Sequence, residues 1–254
     1  MRMTVTLVGL AALFVVRGFG GCSRRPSGDS SAPAGTSSSA ERSPAAAFRE
    51  MRQDMVRIVA KTGRLDARAV AALRSTPRHE FVPAERRHEA YDAQATFPVE
   101  DDRNTATVKS LAAMIGRAEI RQKDRCLLVG AGNGYGAAVI SMLCAAVYVL
   151  EPSSSVAGDV RKRLKRLGYG NVTIREGSPA AGWPGEMTFE RIILLEPAGN
   201  VPETFIRQLQ AEGRLVFPRD MQAEKCGLVI KDKNGEVERK GTGQGDRLKS
   251  PLAE

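Results

Sequence analysis

Residues 127–136 read Leu-Leu-Val-Gly-Ala-Gly-Asn-Gly-Tyr-Gly, and Glu151 closes the apolar run 145–150 just downstream. Few folds accommodate this order. A short apolar strand enters a glycine-rich turn, the turn opens a helix over Ala137, Ala138, Val139 and Ile140, and a second strand ends in a carboxylate. A doubly wound α/β fold builds a nucleotide crevice in this way, at the carboxyl ends of its strands. Glycines let the backbone approach a ligand closely and take φ values closed to other residues. The carboxylate of Glu151 can accept both hydroxyls of a ribose. An ordinary tight strand-to-helix turn would use the same glycines; Glu151 at the end of the next strand favours the crevice.

The glycine spacing separates two ligand classes. A dinucleotide fingerprint, G-x-G-x-x-G, needs its third glycine three residues after the second. Counted from Gly130 and Gly132, that position is Tyr135, which argues against a nicotinamide-type oxidoreductase. The spacing present, Gly130, Gly132 and Gly134, resembles that of S-adenosylmethionine-dependent methyltransferases, whose cofactor has no pyrophosphate to seat on a helix N-terminus. On that resemblance Gly130, Gly132, Asn133, Gly134, Tyr135 and Glu151 are candidate cofactor-binding residues.

At 254 residues the chain has room for one α/β domain with a full core. Arg2 precedes an apolar run over residues 3–16, too short to span a bilayer but suited to a signal sequence. Gly18, Phe19, Gly20, Gly21 and Cys22 follow, resembling a bacterial lipoprotein cleavage box with Cys22 as the lipidated residue. Phe19 stands where a smaller aliphatic residue is usual, and Arg24 and Arg25 oppose translocation. The organisation expected is a signal over 1–22, a Ser/Ala/Pro-rich linker over 23–46 that cannot bury enough surface to order itself, and a folded domain over 47–254. The expected location is an exported, membrane-tethered one through a lipid anchor, with a cytoplasmic protein as the alternative.

Cys126, Cys144 and Cys226 form no CxxC pair and the chain has two histidines, so a metal site is not expected. The net charge of +9 raises nucleic-acid binding as a question. Its densest cluster, Arg161, Lys162, Arg163, Lys165 and Arg166, lies over Val156, Val160, Leu164 and Leu167 at helical spacing, the pattern of a solvated amphipathic face. No aromatic residues interleave with the cluster, so no nucleic-acid partner is expected. The chain is expected to be monomeric.

Helices are expected from Ala47 through Thr62 and from Asp66 to Arg74, with Asp66 as N-cap. Strands follow the basic helix after Asn171, over residues 189–195 and over 213–218, and a hairpin turns at Asn234-Gly235. Several segments then fall in one family's order: Pro77-Arg78-His79 with Phe81-Val82-Pro83, Ala90-Tyr91, Gly132-x-Gly134-Tyr135, Leu167-Gly168-Tyr169 with Asn171-Val172, and Gly182-Trp183-Pro184. Over roughly Ala47 to the end the chain resembles the protein-L-isoaspartate O-methyltransferase family. The resemblance implies a Rossmann-like methyltransferase sheet with helices on both faces and S-adenosylmethionine as cofactor. It also implies methyl transfer to the free carboxylate of isoaspartyl residues in damaged proteins.

Two regions depart from the family. Its active loop, roughly Gly-Gln-Thr-Ile-Ser-Gln-Pro, aligns with Asp102-Arg103-Asn104-Thr105-Ala106-Thr107-Val108, so Ala106 stands at the serine position and Arg103 and Asn104 replace Gln and Thr. Thr105 and Thr107 flank the missing hydroxyl. Glu100, Asp101 and Asp102 form an acidic run at the mouth of a site meant for a carboxylate, unless Arg103 points inward and compensates. The family's acidic adenine acceptor is Ser178 here. Two readings follow: a methyltransferase of reduced activity, or an envelope lipoprotein that keeps the fold as a binding or structural module.

Overall fold

The computed structural model describes residues 43–100, 103–197, 201–219 and 226–241. The expected signal, the lipidation residue Cys22 and most of the linker lie outside the described residues, as do Asp101 and Asp102 of the acidic run. Among the described residues no helix is long and apolar enough to cross a membrane.

Helix α1 spans Pro44–Gly63, beginning three residues before the expected start. The reason is legible: Ser43 accepts a hydrogen bond from the backbone N–H of Ala46, and Pro44 occupies the first turn, where its missing N–H costs nothing. Helix α2 spans Ala67–Ser75, and its N-cap Asp66 accepts from the N–H of Ala69 at 2.7 Å, as the sequence indicates. Two 3₁₀ turns, Arg78–Glu80 and Ala84–Glu89, lead to a small antiparallel hairpin of β1 (Pro98–Glu100) and β2 (Arg103–Asn104). Helix α3 (Val108–Ala118) follows.

The main sheet then begins. It contains β3 (Arg125–Val129), β4 (Ala146–Glu151), β5 (Val172–Glu176), β6 (Phe189–Leu194), β7 (Leu209–Pro218), β8 (Cys226–Lys231) and β9 (Val237–Lys240). Strand β7 starts four residues earlier than the sequence pattern suggests, and the strands of the expected hairpin are β8 and β9. The spatial order is β5-β4-β3-β6-β7-β8-β9, parallel through β7 and antiparallel beyond. The chain runs outward from β3 to β5, then returns to β6 on the other side of β3. That reversal makes the β3/β6 boundary the switch point where such sheets hold ligands.

Connecting helices are α4 (Tyr135–Ser141), α5 (Ser154–Arg166) and α6 (Glu203–Gln208). Alternate strand residues enter two separate cores, as the pleat requires. Cys126, Leu128, Val147, Val149 and Ile193 pack with α1 to α5 on one face. Leu127, Val129, Leu150, Ile192 and Leu194 pack on the other with Trp183, Phe205 and Ile206. Helices therefore lie on both faces, unevenly: α6 and the Trp183 loop cover the second. Buried Gln208 ties those two together, accepting from Trp183 N–H at 3.0 Å and donating to its carbonyl at 2.6 Å.

Candidate active site

The glycine turn lies at the switch point. Gly130, Gly132 and Gly134 all have positive φ, +88°, +51° and +91°, which explains why glycine recurs at every second position. A Cβ at Gly134 would meet Val160 Cγ1 at 2.8 Å, so this glycine also lets α5 pack close. Around Gly132 the nearest atom to such a Cβ is Thr105 Cγ2, at 3.8 Å, leaving the turn's outer side open to a ligand. Asn133 Oδ1 accepts from the N–H of Tyr135 at 3.1 Å, and Asn133's carbonyl accepts from Arg163 Nη1 at 2.7 Å. Arg163 is thus not simply part of a solvated basic face: half-buried, it braces the turn from α5, although burial lowers its pKa.

Glu151, the last residue of β4, is fully buried. Its Oε2 accepts from the N–H of Ala131 at 2.7 Å, and its Oε1 from the N–H of Ser153 at 3.1 Å. These two backbone donors aim the side chain across the glycine turn. A third donor completes its surroundings. Arg103, on β2, places Nη1 at 3.1 Å from Glu151 Oε1 and 3.5 Å from Glu196 Oε1, with Nη2 at 3.4 Å from Glu100 Oε2. Partial burial alone would lower the guanidinium's pKa; the hydrogen bond to Glu151 and the charges of Glu151, Glu196 and Glu100 outweigh it, and the net shift is upward. Arg103 points inward, and of the acidic run Glu100 is neutralised by it.

The loop after β2 lines a cavity with Thr105, Ala106, Leu111, Ala131, Gly132, Asn133, Tyr135, Gly136 and Leu195 on its walls and Arg78 beneath. At Ala106 the wall is a methyl group. The flanking hydroxyls have structural partners: Thr105 Oγ1 accepts from the N–H of Phe97 at 3.0 Å, and Thr107 caps α3, accepting from Ser110 N–H at 3.1 Å. Asn104 is exposed on the hairpin. Ser178 is exposed at the end of β5 and caps the short turn Pro179–Ala181, accepting from the N–H of Ala180 at 3.3 Å. Glu196, Arg163 and Arg78 escape a reading of the sequence. Two of them left a signal there: Arg78 stands in the Pro77-Arg78-His79 segment, and Glu196, like Glu151, is a carboxylate just past an apolar strand.

Arg78 ties together the 90–95 turn that leads into β1. It is 1% exposed, and donates from Nη1 to the carbonyls of Ala90 at 2.8 Å and Asp92 at 3.0 Å, and from Nη2 to that of Ala95 at 2.8 Å. Burial pushes its pKa down to about 10, partly offset by Tyr135, Asp92 and Tyr91. Its Nε and the hydroxyl of Tyr135 have no hydrogen-bond partner among the described residues. Among the described residues no cluster of His, Cys, Asp or Glu could hold a metal ion.

A parallel sheet with a glycine turn and a buried carboxylate at its switch point defines a nucleoside-binding protein of the Rossmann-like methyltransferase class. Residues 50–245 match the model of the protein-L-isoaspartate(D-aspartate) O-methyltransferase family. The chain belongs to that family. It is 36% identical over 171 residues to a protein-L-isoaspartate O-methyltransferase of Roseiflexus castenholzii, covering 67% of this chain and 78% of the relative. With a protein-L-isoaspartate O-methyltransferase 2 of a Polaromonas species it shares 35% identity over 175 residues, 68% and 82% of the two chains.

Among solved structures, one protein-L-isoaspartate O-methyltransferase aligns with a TM-score of 0.63 at 22% identity, over 78% of this chain and 64% of that one. A Plasmodium falciparum protein described by the same activity, solved with S-adenosyl-L-homocysteine, aligns with a TM-score of 0.61 at 17% identity, over 80% and 98%. At these identities the structural likeness speaks for the fold.

Proposed function

We propose that the chain binds S-adenosylmethionine at the glycine turn and methylates the side-chain carboxylate of isoaspartyl residues in proteins. The observation that carries this reading is Glu151: a buried carboxylate, fixed by the N–H groups of Ala131 and Ser153, at the strand end where a ribose diol is received. The residues present suit the cofactor, since the positive-φ glycines leave the turn's backbone approachable and Glu151 is oriented before any ligand arrives. When bound, the cofactor supplies an electrophilic methyl group on its sulfonium.

The acceptor carboxylate is already charged at neutral pH, so no base is required, and none is among the described residues lining the cavity around Ala106. The work of these residues is placement. Leu111, Leu195 and the methyl of Ala106 keep the wall apolar, and Thr105 and Thr107 hold the loop to Phe97 and to α3. Without a side-chain donor at position 106, turnover is slowed on the order of tenfold to a thousandfold. Ser178 offers the adenine a neutral partner where a carboxylate would bind more tightly, by about tenfold to a hundredfold.

Calorimetric titration of the full chain with S-adenosylmethionine, followed by methyl transfer to an isoaspartyl peptide beside its aspartyl counterpart, tests the reading. Binding with transfer to the isoaspartyl peptide alone supports it, and Ala106→Ser is expected to raise the rate. No heat at millimolar cofactor would refute it and favour a binding module that keeps the fold, a reading to which Arg103's hold on Glu151 also lends weight. For location, the support is the run 3–16 with Cys22, read as a lipid tether. Cys22→Ser is expected to move the protein out of membrane fractions; unchanged fractionation would end that reading.

A further inference from the structure

Glu151 has little acceptor capacity to spare. An ionised carboxylate offers about four lone-pair sites, and three are taken: by Ala131 N–H, Ser153 N–H and Arg103 Nη1. The two backbone donors are fixed by the turn after β3 and the start of α5, so they cannot withdraw without unfolding the switch point. A vicinal diol needs two acceptor sites. One is open, and the second can come only from Arg103.

We propose that Arg103 exchanges partners during substrate binding: a ribose diol displaces it from Glu151, and the freed guanidinium then receives the anionic carboxylate of the acceptor peptide. This rests on the function proposed above. Arg103 is built for the exchange. It is 29% exposed where Glu151 is fully buried, so it is the partner able to leave. It already reaches outward to Glu196, whose side chain is 55% exposed, at the open edge of the cleft. It also sits three residues before Ala106, on the same loop as the cavity wall. The arrangement makes binding ordered. While Arg103 is held by Glu151, its single positive charge is shared among Glu151, Glu196 and Glu100, so the mouth of the cleft stays net negative and repels a carboxylate. Once released, Arg103 presents a planar pair of donors matched to one.

The test separates diol from charge. Adenosine, 2′-deoxyadenosine and S-adenosylmethionine are titrated into wild type, Arg103→Gln and Arg103→Lys, with Trp183 fluorescence melting as the check on folding. Arg103→Gln is expected to bind adenosine about tenfold more tightly, the worth of one hydrogen bond to a charged group. 2′-Deoxyadenosine is expected to show no such gain, because it presents no diol. Added salt should raise the wild-type affinity for adenosine and leave that of Arg103→Gln unchanged, with Arg103→Lys between the two. In turnover, Arg103→Gln should raise KM for the isoaspartyl peptide several-fold. Binding by Arg103→Gln alone would support the exchange in its strongest form. Equal adenosine affinity in wild type and Arg103→Gln would overturn the exchange while leaving the proposed function standing, whereas no binding of any nucleoside by either protein would overturn both.

Discussion

Arg78→Met removes the anchor of the 90–95 turn, with a cost set by the bonds it makes there. Three bonds from a charged donor disappear, each worth about 1.5–3 kcal/mol. Against this, burying the guanidinium is itself unfavourable: lowering its pKa to about 10 corresponds to about 3 kcal/mol. Methionine relieves that burden and refills much of the space between Phe97 and Tyr135, whose rings lie 5.0 and 5.6 Å from the guanidinium carbon. The carbonyl of exposed Asp92 can turn to water; that of buried Ala90 cannot. The expected net loss is about 3 kcal/mol, in the range for breaking one side of a buried polar network. With a urea slope of about 2 kcal/mol/M, the midpoint should fall by about 1.5 M. Trp183, the single tryptophan of the chain and 5% exposed, reports the transition. Arg78→Lys keeps the charge but cannot span three carbonyls, and should fall nearly as far. A midpoint within about 0.3 M of wild type for Arg78→Met would refute the reasoning, because it would mean that the 90–97 turn holds itself.

Further substitutions test other joints. Gly134→Ala forces a side chain to φ +91° with its Cβ 2.8 Å from Val160 Cγ1; a loss of about 2–3 kcal/mol is expected, seen as a melting temperature lower by about 5–10 °C. Gly116→Ala would set a Cβ 1.9 Å from the carbonyl oxygen of Gly63, so α1 and α3 must part; about 3 kcal/mol should be lost, and a melting temperature within about 1 °C of wild type would contradict the packing. His79, stacked on Phe48 at 4.2 Å and hydrogen-bonded to Tyr91 at 2.7 Å, has its pKa lowered by burial first, with Glu80 opposing and Arg52 and Arg87 assisting. Below the unfolded value of about 6.5 the unfolded chain binds more protons, so stability is full above that pH and declines as pH falls toward the folded pKa. Melting at pH 5 and pH 7.5 should therefore show a smaller pH-dependent drop in His79→Phe than in wild type; an equal drop would exclude His79 as a cause.

Much of the fold was legible because its determinants are neighbours in the chain. The glycines at 130, 132 and 134 each meet a local demand for positive φ, and the apolar runs of β3, β4 and β6 are long enough to be buried on both faces. Asp66 and Asn234-Gly235 act within four residues of themselves. Ser43-Pro44 was equally readable as a helix start, yet the alanine-rich run beginning at Ala45 drew the expected boundary inward. The sequence by itself thus determined the strand-turn-helix unit, the family, and the identity of the residues in the loop, including a methyl group at position 106. It could not determine what Arg103 touches. Its partners Glu151 and Glu196 lie 48 and 93 positions away, and only the parallel register of β4, β3 and β6 brings their carboxyl ends under one hairpin. An ion pair's energy depends on separation and burial, neither of which is written in the order of residues. The tertiary structure therefore decided that the acidic mouth is bridged by an arginine, and that the buried carboxylate of Glu151 already has a side-chain partner.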